Sequence, residues 1–353
     1  MFTTTTFKGA VAGGALAAAL LAQSTAALAA PLSPAVIATV TVDLHPRGVA
    51  VNPNTNHVYT ANDHNTVTVV DGATNQVTGN ILLGGQPGGI GVLNALNRVF
   101  VASISSTGFG SLAVIDGGNN SVMTYIPIGF ETSPAGVAVN QNTGRVYVAV
   151  PGNNSVAVID GLSNSLVDTV NGIVEPVGMA VNLMTNRVYV ASLDHKVVTV
   201  IDGASDHILT GIDIGVTSVG SVAVNPDTNR VYAGTNGAVV VIDGNTDALM
   251  ASISTSSTYS NYGMVVSAAQ NLVYVSTQGL DTLTIVDGAT NKVMDTLPVG
   301  SAPLGVADNP NTNRAYVANT SSSTLSVIGD ALLQLRPMTP RLSSSSLQAL
   351  KPI

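Results

Sequence analysis

The chain has 353 residues, 9% of them charged and 45% apolar, with 35 Gly and neither Cys nor Trp. So apolar and weakly charged a composition excludes a disordered chain, and the lack of Cys excludes disulfides, thiolate metal sites and a c-type haem attachment. The formal charge of −8 disfavours DNA, RNA and anionic membrane surfaces as partners, because phosphate binding needs a cationic footprint.

Residues 1–29 read as a secretory signal peptide. Lys8 is the only charge, Ala10–Leu21 is an apolar run, and Ala27-Leu28-Ala29 is a small-x-small cleavage site. The run is interrupted by Gln23-Ser24-Thr25 and falls short of the ~20 apolar residues a spanning helix needs. Cleavage after Ala29 and export to the periplasm or the medium are expected, with no membrane span afterwards. Removing Lys8 takes the charge from −8 to −9.

Next comes Val36–Leu44 (VIATVTVDL), an isolated strand-like stretch. From Pro46 to Gly85 the chain then spells out a unit that it repeats. The unit runs Pro-x-Gly, an apolar strand a (Gly48–Asn52), the turn Asn-Pro-Asn-Thr-Asn, and strand b (Val58–Ala61). After a polar break follow strand c (Thr66–Val70), an Asp-Gly turn and strand d (Gln76–Leu83). Alternation of Val or Tyr with small residues in b and c is the period of a packed sheet, and Asx and Gly supply the tight reversals. The position of Pro46 recurs at Pro87, Pro134, Pro176, Val219, Asn261 and Pro303, at spacings of 41, 47, 42, 43, 42 and 42 residues. A period of about 40–45 residues with four short strands predicts an all-β fold, a seven-bladed β-propeller of four-stranded antiparallel blades spanning residues 30–330.

The strand b segments read HVYTAN, RVFVAS, RVYVAV, RVYVAS, RVYAGT, LVYVST and RAYVAN, each followed by a strand c, and six of the seven by Asp-Gly (Asp71, Asp116, Asp160, Asp202, Asp243 and Asp287). In these features, over about residues 36–330, the chain resembles the YVTN family of β-propeller repeats. The resemblance implies the propeller fold and no single activity. The seventh unit stops after strand c at Val327-Ile328, while Val36–Leu44 matches a strand d that has no a–c before it. The N-terminal strand is therefore expected to complete the last blade, pairing with Thr324–Ile328 and removing the edge of a linear array. Residues 331–353 form a tail with no repeat partner.

Such blades place the a–b and c–d turns on one face and the d–a and b–c loops on the other. Strand b begins with Arg at positions 98, 145, 187, 230 and 314, beside the end of strand c. Arg98/Asp116, Arg145/Asp160, Arg187/Asp202 and Arg230/Asp243 are expected to form cross-strand pairs on the turn face, in preference to an Arg-lined anion surface. The loop face is irregular and carries the candidate ligand-binding residues His45, Arg47, Asp63, His64, Glu131, Glu175, Asp194, His195 and Lys196, with Tyr259, Tyr262 and Asp281 beside them. The longest departures fall in the second unit: the b–c loop Ser103–Gly110 is four residues longer than in the first, and the next d–a loop gains Phe130-Glu131-Thr132-Ser133. Asp308 stands in a column otherwise filled by Val51, Val92, Val139, Val181, Val224 and Val266; there it must find a partner, face channel water or take up a proton.

No Gly-x-Ser-x-Gly elbow and no His-Glu-x-x-His appears, and a pyrroloquinoline quinone site is disfavoured by the lack of Trp. No cofactor is expected. His45, His64 and His195 would bind a metal only if they met over the channel, and solvated loop histidines are the simpler reading. Two functions stay open. One is an exported binding or interaction scaffold working through the loop face, on an unknown protein, glycan or small molecule that is cationic or neutral, the protein itself being a monomer. The other is a propeller enzyme of lyase or lactonase type, with His45 or His195 as base and Glu131 or Glu175 as acid or metal ligand. The absence of any motif with defined spacing favours the scaffold.

Overall fold

Asx residues and glycines cut the chain into short extended segments, and each repeat closes into one sheet. The computed structural model describes residues 33–193, 195–215, 218–255 and 261–331; the segment 1–29 and the tail beyond Ala331 lie outside the described residues. Seven four-stranded antiparallel sheets follow one another as blades, each ordered a-b-c-d from the centre outward. In blade 1 the strands are Pro46–Asn52, His57–Asn62, Thr66–Asp71 and Gln76–Leu82. In blade 7, strands a to c are Pro303–Asn309, Arg314–Asn319 and Thr324–Asp330, and the outer strand is the N-terminal Pro34–Thr41. That strand pairs antiparallel with Thr324–Asp330, from Pro34 opposite Asp330 to Thr41 opposite Thr324. The ring is thus closed by the two ends of the repeat array, as the orphan strand required.

The core lies between the blades. Seven apolar clusters fill the seven junctions, and each receives one buried aromatic from strand b: Tyr59, Phe100, Tyr147, Tyr189, Tyr232, Tyr274 and Tyr316. Burying a large side chain of this kind contributes about 2–3 kcal/mol, so the strand b aromatic acts as a spacer between blades. Around the channel the inner strands approach so closely that a side chain is excluded. A Cβ on Gly48 would lie 2.6 Å from the Gly88 carbonyl oxygen of the next blade. At the equivalent position blade 5 carries Ser221, whose hydroxyl donates to the Asn261 carbonyl at 2.8 Å, and its neighbour on strand b is Gly234, where other blades place Ala or Ser. Volume added on one strand is removed on the next.

Every outer strand d carries a bulge near its start, for example between the pairs formed by Val158 and Ile159 in blade 3 and by Val200 and Ile201 in blade 4. A bulge twists a free edge away from further pairing. Among the described residues no helix is long and apolar enough to cross a membrane.

Candidate functional site

The turn face is a set of stitches between blades. The Asn that ends strand a uses both ends of its amide. In blade 4, Asn182 Oδ1 accepts from the backbone N–H groups of Met184 and Thr185, at 3.0 and 3.3 Å, which shapes its own turn. Its Nδ2 donates across the junction to Asn229 Oδ1 at 2.6 Å. The same bridge joins Asn52 to Asn97, Asn140 to Asn186, Asn225 to Asn271 and Asn309 to Asn56.

The expected Arg–Asp pairs need correction. The backbone register does place Arg98 opposite Asp116, Arg145 opposite Asp160, Arg187 opposite Asp202 and Arg230 opposite Asp243. The guanidinium groups nevertheless reach forward. Arg98 donates to the Gly161 carbonyl at 2.6 Å and Arg187 to the Gly244 carbonyl at 3.1 Å. Arg230 donates to the Gly288 carbonyl and Arg314 to the Gly72 carbonyl, each in the following blade. Only Arg145 stays near its own aspartate, 3.8 Å from Asp160. The aspartates are already committed: each caps its own turn by accepting backbone N–H bonds, and these hold the carboxyls of Asp71, Asp160, Asp202, Asp243 and Asp287 below the usual range. The acceptors left over are those of the next turn, its Gly carbonyl and, for Arg98, Arg187 and Arg230, the side-chain oxygens of Asn164, Asp247 and Asn291. The guanidinium groups of Arg98, Arg187, Arg230 and Arg314 are thus engaged between blades and do not cluster around a shared cavity among the described residues.

On the loop face the candidate residues do not converge. Arg47 and Asp63 form a bidentate pair on blade 1, and the Asp63 N–H donates to the His45 carbonyl at 3.2 Å. Lys196 pairs with Asp213 at 2.9 Å on the exposed rim of blade 4. Asp281 is spent on its own surroundings, accepting from the Ser301 hydroxyl and the Ala302 N–H, both at 2.8 Å. Asp43, which the sequence reading passed over, accepts from the Thr66 hydroxyl at 2.6 Å and from the Leu44 N–H, and these bonds hold its carboxyl low. Glu131 and Glu175 are exposed, both at positive φ, and neither enters an ion pair among the described residues. His45, His64 and His195 make no side-chain hydrogen bond to a carboxylate, and no three metal-ligating side chains come together, among the described residues. Asp194 and Tyr259 lie outside the described residues.

The central channel opens on this face as a cavity of about 350 Å³. Its walls are the glycines of strand a and the apolar collar of Val49, Ile90, Val137, Met179 and Met264; Arg47 and Tyr262 stand at its mouth. Two further hollows belong to blade 2. A groove of about 410 Å³ is lined by Gly84, Ser105, Phe109, Ser111, Tyr125 and Pro127. A smaller one of about 210 Å³, lined among others by Gln86, Ile104 and Ser133, shares Arg47, Gly88 and Ala135 with the channel cavity.

Blade 2 builds this groove from its length. Strand c (Phe109–Asp116) and strand d (Ser121–Phe130) run past the ends of their counterparts, so Phe109 pairs with Phe130 beyond the edge of the other blades. Four large aromatics are exposed among the described residues, and three of them, Phe109, Tyr125 and Phe130, are here. The turn that follows is held rather than loose. Gly129, Glu131 and Ser133 all have positive φ; Thr132 is fully buried and bonds back to the Gly129 carbonyl at 3.1 Å, while Glu131 N–H donates to the Gly108 carbonyl at 2.8 Å. Backbone in such conformations persists only where its surroundings over-determine it, and it concentrates at functional positions. Tyr125 was readable in the sequence: its column holds Asn80, Thr169, Gly211, Ser252 and Thr296 in the other repeats.

Asp308 belongs to neither face. Its column points across a blade junction, and Asp308 is half-buried against Ser267 and Tyr274 of blade 6. Burial pushes its carboxyl up to about 7, and the Ser267 hydroxyl offsets this only partly, without a hydrogen bond of ordinary geometry. Ser267 stands where most blades have the bridging Asn, so this junction lacks the amide stitch.

No family model matches the chain, and no curated protein matches it. Among solved structures the chain is similar to a chain of Kuenenia stuttgartiensis hydrazine synthase, with a TM-score of 0.73 and 20% sequence identity over 83% of this chain and 97% of that one. At that identity the likeness establishes the fold, a seven-bladed β-propeller, and carries no activity across.

Proposed function

We infer that this protein is an exported binding scaffold that meets its partner on the loop face, with the long loops of blade 2 as the main specificity element. The YVTN-type repeats account for the turn face and the inner strands, leaving blade 2 as the departure to be explained. The observation that carries the reading is the groove at Phe109, Tyr125 and Pro127, where exposed aromatics gather on one blade over a rigid backbone. Apolar floors with a few placed polar groups are how binding sites are built. An acid–base enzyme on the same face would need a histidine and a carboxylate serving one substrate. Asp63 is paired with Arg47 and Asp213 with Lys196, and His45, His64 and His195 make no side-chain hydrogen bond to a carboxylate among the described residues, so no bonded acid–base couple supports that reading.

Export follows from residues 1–29, and mass spectrometry of the mature protein should show a new N-terminus after Ala29. Binding is tested by replacing Ser103–Gly110 with the four residues Asn62–Asn65 of the equivalent loop in blade 1. On peptide and glycan arrays the graft should lose the contacts made by the parent protein, whereas Asp160→Lys on the turn face should keep them. Loss only in the Asp160→Lys protein would mean the wrong face has been chosen. A graft that keeps every contact would remove blade 2 from the reading.

A further inference from the structure

We propose that the blade 2 groove takes a short extended peptide segment in which an apolar or aromatic side chain is flanked by arginine or lysine. This rests on the loop face being the binding face and adds the chemistry of what it binds. The apolar half of the argument is the groove itself. Phe109, Tyr125 and Pro127 line the groove together with Gly84, and Phe130, the cross-strand partner of Phe109, ends the hairpin next to it. A flat apolar side chain has somewhere to lie. Tyr125 accepts the Gly84 N–H at 2.9 Å, which leaves its own hydroxyl proton free to donate to a partner carbonyl.

The charged half comes from what remains unpaired. Both loop-face cations named above are consumed by carboxylates, Arg47 by Asp63 and Lys196 by Asp213. Glu131 and Glu175 have no such partner among the described residues, and the protein as a whole carries −8. Glu131 directly follows Phe130, and its backbone is fixed at a φ of 55° by the hydrogen bond to Gly108. An exposed acidic residue thus directly follows an aromatic that is 62% exposed. Guanidinium groups stack on aromatic faces and pair with carboxylates in the same plane, so one arginine satisfies both neighbours. An anionic or purely polar ligand would meet the wrong sign and leave the aromatic floor unused.

The protein has no Trp, so a Trp-containing peptide reports binding against a dark background. The probes are blocked pentapeptides of sequence Gly-Arg-Trp-Arg-Gly, Gly-Ser-Trp-Ser-Gly and Gly-Glu-Trp-Glu-Gly, followed by fluorescence anisotropy on the full protein. Affinity should fall in that order. Phe130→Ala should weaken the Arg peptide about tenfold, as expected for an anchoring aromatic. Glu131→Gln should weaken it about threefold and flatten its salt dependence, leaving the Ser peptide unaffected. Equal affinity for the Arg and Glu peptides, or a silent Glu131→Gln, overturns the charge assignment while the scaffold reading stands. Saturable binding of maltoheptaose with no binding of any peptide overturns the peptide assignment and leaves the face correct. Peptide binding that survives both the loop graft and Phe130→Ala but is lost in Asp160→Lys overturns both.

Discussion

The two faces of the propeller are built from the same seven repeats, yet they spend their polar residues in opposite ways. On the turn face Asn182 and Arg187 reach the next blade at Asn229 and Gly244, and each side chain completes a bond that its neighbour lacks. On the loop face Arg47 meets Asp63 and Lys196 meets Asp213 within the same blade, in pairs that cross no junction, the first half-buried at Asp63 and the second exposed. The difference explains which face can vary. Changing Asn182 or Arg187 removes a bond to the adjacent blade, whereas changing Arg47 or Lys196 removes an ion pair within one blade. Blade 2 could therefore lengthen its hairpin and fill it with aromatics without disturbing the ring.

The sharpest way to break this comparison is at the channel, where both faces meet the inner strands. Gly136→Ala would drive a Cβ into the Val177 carbonyl of the next blade and should cost about 3 kcal/mol. Gly79→Ala on an outer strand meets nothing within 4 Å and should be neutral or slightly stabilising. Urea unfolding midpoints of the two variants decide this, and similar midpoints would mean the inner glycines are not there for close approach.

A second comparison sets a stitch against a surface pair. Asn182→Ala removes the bridge to Asn229 and two turn bonds from a fully buried side chain, and should destabilise by about 2 kcal/mol. Lys196→Ala removes only an exposed ion pair and should change stability by at most about 0.5 kcal/mol. If the two substitutions cost the same in thermal unfolding, the distinction between the faces fails.

The third and smallest effect lies at the junction of blades 6 and 7. Asp308 titrates near 7 in the fold, because of burial, and near 3.8 when unfolded. The folded state therefore binds the proton more tightly. Stability from this group is full below about pH 4, declines as pH rises, and levels off above about pH 7. The turn aspartates, held low by backbone bonds, act in the opposite direction and only below about pH 4, so they do not mask it. The protein should gain on the order of 1–2 kcal/mol between pH 8 and pH 5 from Asp308, a gain absent in Asp308→Asn. A flat difference between parent and variant across that range would show that Asp308 is ionised in the fold.

The repeat, the number of blades and the closing strand were legible in the residues alone, because each rests on local facts. Asx and Gly set the turns, alternating Val and Tyr set the strand faces, and an orphan strand at one end matched a gap at the other. Arg187 marks where such reading stops. Its register opposite Asp202 was correct, but its partners are the Gly244 carbonyl and Asp247 of the next turn, since Asp202 already accepts the Ala204 N–H and the Ser205 hydroxyl of its own turn. Which acceptor remains free is a property of two blades side by side and cannot be read from one repeat. The candidate site divides the same way. The long loops of blade 2 were visible as insertions, and Tyr125 as an aromatic in a column of small residues. That Phe109, Tyr125 and Pro127 line one groove depends on how strands c and d extend past their neighbours, and that His45, Glu131 and His195 form no bonded couple among the described residues depends on how separate loops sit in space. Sequence determined the ring because repetition is local chemistry copied seven times; only the tertiary structure decided the site, because it sits where one blade departs from the pattern and its groups meet across loops.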